Sequence, residues 1–188
     1  MILFVQTGLN EANRTTLRQQ IGDSHTLIFR NELSAIEQQA AFQQADVLMG
    51  NPPIAWLQIA PNLKFWQLDS AGFNNYSELN LTIPVANMGD YFAWPCAETI
   101  VAGILALYRR VDELVVLQRQ QKWVGAPLRS TMTNLHNQRV VILGAGTIGQ
   151  AVRSILTGFQ CDIRLMARTN SEAQISSRDE LLATLPNT

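Results

Sequence analysis

Residues 139–149 read Arg-Val-Val-Ile-Leu-Gly-Ala-Gly-Thr-Ile-Gly, an apolar run followed at once by a glycine-rich turn. The apolar run predicts a buried strand, and the residues after it place Ile148, Val152 and Ile155 at helical spacing. A second apolar stretch, 161–166, completes a strand–helix–strand unit. In this context the GxGxxG spacing is typical of a turn that holds the pyrophosphate of a dinucleotide, although a glycine-rich turn without a ligand remains the alternative.

The three glycines of this motif and the start of the helix have separate predicted roles. Gly144 permits the tight turn, Gly146 lets the backbone approach a pyrophosphate, and Gly149 lets the helix pack closely on the strand. We expect N–H groups at the helix N-terminus, those of Thr147 and Ile148, to hold the anion together with the partial positive charge there. The motif therefore predicts dinucleotide binding.

The end of the second strand predicts which dinucleotide is bound. An acidic residue that accepts hydrogen bonds from the ribose usually lies there, but the sequence reads Met166-Ala167-Arg168-Thr169. Asp162 lies at the opposite end of the strand and cannot serve. Since an arginine and a hydroxyl suit a 2′-phosphate, Arg168 and Thr169 are predicted to bind NADP, with NAD as the alternative cofactor. An Arg168 that is only a solvated strand-end residue is the competing interpretation.

The first hundred residues alternate between short apolar stretches and helical patterns. The five apolar stretches are 2–5, 25–29, 46–49, 63–68 and 83–86. Helical patterns over 10–20 and 32–45 lie between the first and second and between the second and third of these stretches. Such alternation predicts the α/β class, with a parallel sheet covered by helices on both faces.

A long apolar helix is predicted to follow, with Pro95 in its first turn, where proline costs no intrahelical hydrogen bond. One apolar stripe of this helix consists of Ile100, Ile104, Leu107, Val111 and Leu114, and a second face carries Val101, Leu105 and Tyr108. Burial on two sides would fit a helix wedged between two domains. Residues 123–137 lose the periodicity and predict an extended arm or linker before the second sheet.

The composition narrows the class of protein. Of 188 residues, 47% are hydrophobic and 15% are charged. The net charge is −1 and no block of basic residues occurs. Neither nucleic acid nor an anionic membrane is therefore a predicted partner. Cys96 and Cys161 lie too far apart in sequence for a CxxC pair, which argues against a disulfide scaffold or a cysteine metal site. The longest apolar run, 100–108, has about half the length of a membrane span. Without a signal-peptide pattern, a soluble, cytoplasmic protein is expected.

Several segments in order resemble the D-isomer-specific 2-hydroxyacid dehydrogenases. Residues 63–74 look like the strand and turn that bind the substrate carboxylate in this family, and 83–89 look like the strand and loop that follow. Residues 96–110 resemble the interdomain helix, although Thr99 stands where the family has a histidine. Trp123 and the arm after it match a segment that supports dimer formation in the family, so a homodimer is implied.

The resemblance implies a flavodoxin-like substrate domain over 1–94, an interdomain helix and arm over 95–137, and a partial Rossmann domain for NAD(P) over 138–188. It also implies that backbone amides of Ser70, Ala71 and Gly72 bind the carboxylate of a small 2-oxo acid such as glyoxylate, hydroxypyruvate or pyruvate. Without the family, Ser-Ala-Gly is an ordinary turn, but its place after a strand suits an anion site.

The family's catalytic arginine, glutamate and histidine come well after the dinucleotide motif, and only 39 residues follow Gly149. His25 and His136 are lone histidines without an evident carboxylate partner, so no catalytic residue is predicted here. The expectation is a truncated, N-terminal part of an NAD(P)-dependent 2-hydroxyacid dehydrogenase, inactive alone, with 2-oxo acid reduction as the activity of the whole. A non-catalytic dinucleotide-binding interaction module, or the product of a decayed gene, is the alternative.

Overall fold

A computed structural model describes residues 1–187 of the chain. It divides into two units, Met1–Gly89 and Asp90–Thr188, and each has its own sheet and its own apolar core. Thr188, the last residue of the segment predicted as a partial Rossmann domain, lies outside the described residues.

The first unit is built on a parallel sheet of five strands in the order β2-β1-β3-β4-β5. This order is that of flavodoxin-like folds, so the predicted fold class is confirmed. The strands are β1 Ile2–Val5, β2 Thr26–Phe29, β3 Val47–Met49, β4 Phe65–Gln67 and β5 Val85–Ala86, and the helices are α1 Glu11–Ile21, α2 Ala35–Gln43 and α3 Ile54–Leu57.

Polar caps and an aromatic core explain why these segments fold as they do. The Asn10 side chain accepts a hydrogen bond from the Asn13 N–H at the start of α1, and a capping box starts α2. The core is closely packed around Phe4 and Phe42, whose rings meet edge to face with centroids 5.5 Å apart. Trp66, 1% exposed, belongs to the same core and donates from its indole N–H to the Gly50 carbonyl at 2.7 Å.

Asp46 ties three strands together at the amino-terminal edge of this sheet. Its carboxylate accepts hydrogen bonds from Lys64 Nζ at 2.6 Å and from the Ile2 N–H at 2.8 Å. Its backbone N–H and carbonyl also bond to Ile2 and Lys64. The hydrogen bond from Lys64, and then that from Ile2, hold the pKa of the Asp46 carboxyl below its usual value.

The second unit contains the predicted strand–helix–strand segment. Strands β6 Arg139–Leu143 and β7 Asp162–Met166 are parallel and joined by helix α7 Thr147–Thr157. Small residues of helix α4 Ala93–Tyr108, namely Ala93, Ala97 and Val101, pack with Val152 and Leu156 of α7 in the core. The helices are α4 Ala93–Tyr108, α5 Val111–Arg119, α6 Ala126–Arg129, α7 Thr147–Thr157 and α8 Arg178–Thr184.

The prediction of a single long helix that continues through Leu114 is wrong. Helix α4 begins two residues before Pro95, ends at Tyr108, and is separated from α5 by Arg110, whose φ of +54° is left-handed. The expected burial of its larger stripe is also wrong, since Ile100 is 44% and Leu107 70% exposed. The physical reason is that the small-residue face of α4 allows a closer approach to α7 than a face of leucines and isoleucines would.

The arm over 123–137 is also less extended than predicted. It contains the short helix α6, and Leu128 and Leu135 are buried. Trp123, by contrast, is 93% exposed. None of the helices in residues 1–187 has both the length and the apolar character needed to cross a bilayer.

Candidate functional site

The glycine-rich turn between β6 and α7 has the geometry that a dinucleotide motif demands. Gly144 has a φ of +112°, a conformation that L side chains rarely adopt. A Cβ on Gly149 would stand 2.0 Å from the Gly144 carbonyl oxygen, so only glycine allows this contact between helix and turn. A Cβ on Gly146 would meet nothing within 4 Å, which leaves the approach to this backbone open.

Backbone donors without an acceptor lie at the start of α7, next to this open approach. The Gly146 carbonyl begins the helical hydrogen bonds by accepting from Gln150. Within residues 1–187, no acceptor is found for the N–H groups of Gly146, Thr147 and Ile148, as is usual for the first turn of a helix. Together with the helix dipole, these donors fit a pyrophosphate, so the residues present suit a dinucleotide cofactor.

The loop after β7 lies against the glycine-rich turn. Arg168 and Thr169, predicted to bind a 2′-phosphate, are both exposed at its beginning. The next residue, Asn170, donates from Nδ2 to the Ala145 carbonyl at 3.1 Å. Sequence reasoning missed this contact, because a single hydrogen bond between residues 25 positions apart has no local pattern.

The turn after β4 contains Ser70, Ala71 and Gly72, the predicted carboxylate-binding residues. Asn51 Nδ2 donates to Ser70 Oγ at 2.9 Å, and Ser70 Oγ donates to the Gly72 carbonyl at 2.7 Å. Asn87 Nδ2 donates to the Ala71 carbonyl at 2.8 Å. The side chains thus bind the carbonyls of the turn, while the N–H groups of Ala71 and Gly72 have no acceptor among the described residues.

A second set of contacts holds the start of this turn. Asn51 Oδ1 accepts the Asp69 N–H at 3.3 Å, and Thr7 Oγ1 donates to Asp69 Oδ2 at 2.9 Å. Gly50, with a φ of +107°, lies so near that a Cβ there would stand 2.5 Å from Thr7 Oγ1. Burial, and then the negative charge of Asp69, raise the pKa of the nearby Tyr76 hydroxyl.

Thr7, Asn51 and Asn87 were not singled out from the sequence. Each follows its strand by one or two residues, at the carboxyl end of the sheet where ligands of open α/β folds bind. Their position just after a predicted strand was the sequence signal that could have identified them. The structure brings these three side chains to the edge that carries Ser70, which makes the turn a fixed rather than a loose segment.

The two histidines take no part in either turn. His25 is exposed and its Nδ1 lies 2.5 Å from the Ser24 carbonyl, and His136 is exposed as well. Neither has a carboxylate partner in the part of the chain that the structure describes. Over the same residues, no cluster of three His, Cys, Asp or Glu side chains could hold a metal ion.

Comparisons with known proteins agree with a dinucleotide-binding role for the glycine-rich turn. Residues 101–186 match the family model described as D-isomer specific 2-hydroxyacid dehydrogenase, NAD binding domain. A curated relative, glyoxylate/hydroxypyruvate reductase B of Yersinia pestis strain Pestoides F, is 28% identical, and the alignment covers 85% of this chain and 52% of the relative. The chain therefore spans about half the length of the curated relatives it matches.

Two solved structures show the same fold. A D-isomer specific 2-hydroxyacid dehydrogenase family protein from Aeromonas salmonicida subsp. salmonicida A449 has a TM-score of 0.75 and 20% identity over 93% of this chain and 56% of its own. An NAD-dependent formate dehydrogenase from Staphylococcus aureus, in complex with NAD, has a TM-score of 0.69 and 20% identity over 96% of this chain and 61% of its own.

The family model and the curated relatives indicate the D-isomer-specific 2-hydroxyacid dehydrogenase family, and the solved structures share its fold. The resemblance drawn from the sequence is thereby confirmed. The family consists of oxidoreductases, and its matched domain is one that binds NAD. A nicotinamide dinucleotide is therefore the supported kind of cofactor.

Proposed function

We propose that the protein carrying this chain reduces a small 2-oxo acid, of the glyoxylate or hydroxypyruvate type, to the 2-hydroxy acid with NADPH or NADH. The observation that carries the proposal is the glycine-rich turn, where the Gly144–Gly149 contact and the free N–H groups of α7 form an anion cradle within a matched NAD-binding domain. The names of the curated relatives support the substrate class.

The chain contributes binding and orientation to this reaction. A bound reduced nicotinamide supplies the hydride. Gly146, Thr147 and Ile148 would hold the pyrophosphate through backbone N–H groups, and the N–H groups of Ala71 and Gly72 would hold the substrate carboxylate. Holding both reactants in place contributes to the rate by removing translational and rotational freedom before the reaction. No proton donor is assigned to residues 1–187, where both histidines lack a carboxylate partner.

The test is spectrophotometric oxidation of NADPH and NADH by the intact natural protein that carries this sequence. Glyoxylate, hydroxypyruvate and pyruvate are compared with acetaldehyde, which offers a carbonyl without a carboxylate. We expect turnover with a 2-oxo acid and at least about tenfold lower kcat/KM with the aldehyde, since it loses charge-assisted hydrogen bonds of about 1.5–3 kcal/mol each. Dinucleotide binding without turnover of any 2-oxo acid would instead favour a non-catalytic interaction module.

Homodimer formation and a cytoplasmic location belong to the same proposal and stay predictions. Support for the dimer is the exposed apolar surface of the arm and of α5, which includes Trp123 at 93% and Val116 at 50% exposure. Sedimentation velocity of the wild type and of Trp123→Ser, over a range of concentrations, measures the oligomeric state.

A further inference from the structure

The loop after β7 is joined to the glycine-rich turn through one side chain. Asn170 Nδ2 donates to the Ala145 carbonyl at 3.1 Å, and Asn170 Oδ1 accepts the Glu172 N–H at 2.8 Å. The amide thus performs two tasks at once, because its oxygen shapes the loop and its nitrogen holds the turn. Neither contact belongs to the regular hydrogen bonds of a helix or a strand.

The contact with Ala145 determines the direction of a potential ligand donor. The peptide group between Ala145 and Gly146 is planar and trans, so its carbonyl and its N–H point in opposite directions. When Asn170 fixes the Ala145 carbonyl on its own side, the Gly146 N–H is directed away from the loop. Gly146 is the residue whose approach is open.

We propose that Asn170 is a positioning residue, which holds the Ala145 carbonyl and thereby aims the Gly146 N–H at the pyrophosphate of a bound nicotinamide dinucleotide. The inference rests on the proposed function. Fixing the donor before binding removes an ordering cost that the ligand would otherwise meet. The role differs from that of Arg168, which would read the 2′-phosphate directly.

A neighbouring contact separates this role from simple immobilisation of the loop. Glu172 accepts Arg153 Nη1 at 2.8 Å and Gln150 Nε2 at 3.2 Å, so it ties the same loop to α7 without touching the glycine-rich turn. A Glu172→Gln variant weakens this tie and leaves the Asn170–Ala145 contact in place. It is therefore the matched control.

The experiment measures the dissociation constants of NADPH and NADH by fluorescence titration of the intact protein. Asn170→Ser keeps an oxygen for the loop but cannot reach the Ala145 carbonyl, and Asn170→Asp keeps the shape but loses the donor. We expect both variants to bind both dinucleotides about three- to tenfold more weakly, as for one lost hydrogen bond. Glu172→Gln should bind within about twofold of wild type, since it affects only the exposed contacts with Arg153 and Gln150.

Given that the wild-type protein binds a dinucleotide, the following results would overturn the inference alone. One is unchanged binding by Asn170→Ser; if Asn170→Asp alone then lost affinity, the cause would be charge repulsion. A loss confined to NADPH would indicate an effect through the 2′-phosphate, and an equal loss in Glu172→Gln would assign the effect to loop mobility. A wild-type protein that binds neither dinucleotide would overturn the proposed function, and the inference with it.

Discussion

A Cβ on Gly149 would stand 2.0 Å from the carbonyl oxygen of Gly144, so the helix and the turn of the dinucleotide motif touch backbone to backbone. Two glycines five residues apart thus set the position of the first turn of α7. The N–H groups of that turn are the proposed ligands of the pyrophosphate, and the contact therefore links helix packing to cofactor binding.

Gly149→Ala should weaken both folding and cofactor binding. Relieving the overlap requires α7 to move, and overpacking of this kind costs about 1–3 kcal/mol in the free energy of unfolding. Denaturant titration and NADPH titration measure the two effects. Gly103→Ala is the control, because Gly103 lies in α4 and a methyl group added there would meet nothing within 4 Å, and alanine at this position should stabilise by about 0.5–1 kcal/mol. Equal stability of Gly149→Ala and wild type would show that helix and turn are not in contact.

Arg168→Ala should reduce the preference for NADPH over NADH. Arg168 is exposed at the end of β7, where a guanidinium can form a bidentate, charge-assisted pair with a 2′-phosphate. We expect the ratio of kcat/KM for the two cofactors to fall about ten- to a hundredfold. Arg178→Ala, which removes an exposed arginine from α8, should leave the ratio unchanged. Wild-type protein with no preference, or a ratio that Arg168→Ala does not alter, would contradict the assignment.

Asn51→Ala should raise the KM for the 2-oxo acid and leave the KM for the cofactor nearly unchanged. The variant loses the hydrogen bonds to Ser70 Oγ and to the Asp69 N–H, which hold the carboxylate-binding turn. Two hydrogen bonds of about 0.5–1.5 kcal/mol each correspond to an effect on the order of tenfold. Steady-state kinetics measure both constants, with the exposed Asn13→Ala as the control. If both KM values rose together, the defect would lie in folding rather than in the turn.

Asp46→Asn should lower the melting temperature at neutral pH but not in strong acid. The pKa of the Asp46 carboxyl is lowered in the folded chain by the hydrogen bonds from Lys64 and Ile2. The charged Asp46 carboxylate therefore stabilises the folded chain fully when the pH is above the ordinary carboxyl pKa. This contribution is lost as the pH falls through the lower pKa that the carboxyl has in the folded chain. Melting curves of both proteins between neutral and acidic pH test this. A difference in melting temperature that is independent of pH would exclude the charged contact as its cause.

The local patterns of the sequence were sufficient for most of the fold. The strand predicted over 139–143 is found at the same bounds, because an apolar run before a glycine turn has few other solutions. The break at Arg110 was missed because the apolar spacing continues across it, and a left-handed residue other than glycine leaves no compositional sign. The contacts of Asn51 with Ser70 and Asp69, and that of Asn170 with Ala145, could not be predicted, since each joins residues that are 18 or more positions apart and depends on tertiary packing.

The two separate apolar cores have a consequence for how the chain responds to heat. One core is centred on Phe4, Phe42 and Trp66, and the other on Ala97, Val152 and Leu156, and none of the described residues belongs to both. Each core can melt as a cooperative entity, so scanning calorimetry should resolve two endotherms rather than one. Asp46→Asn should then shift the endotherm of the first unit, and Gly149→Ala should shift that of the second unit. The two shifts would assign each heat-absorption peak to its half of the chain.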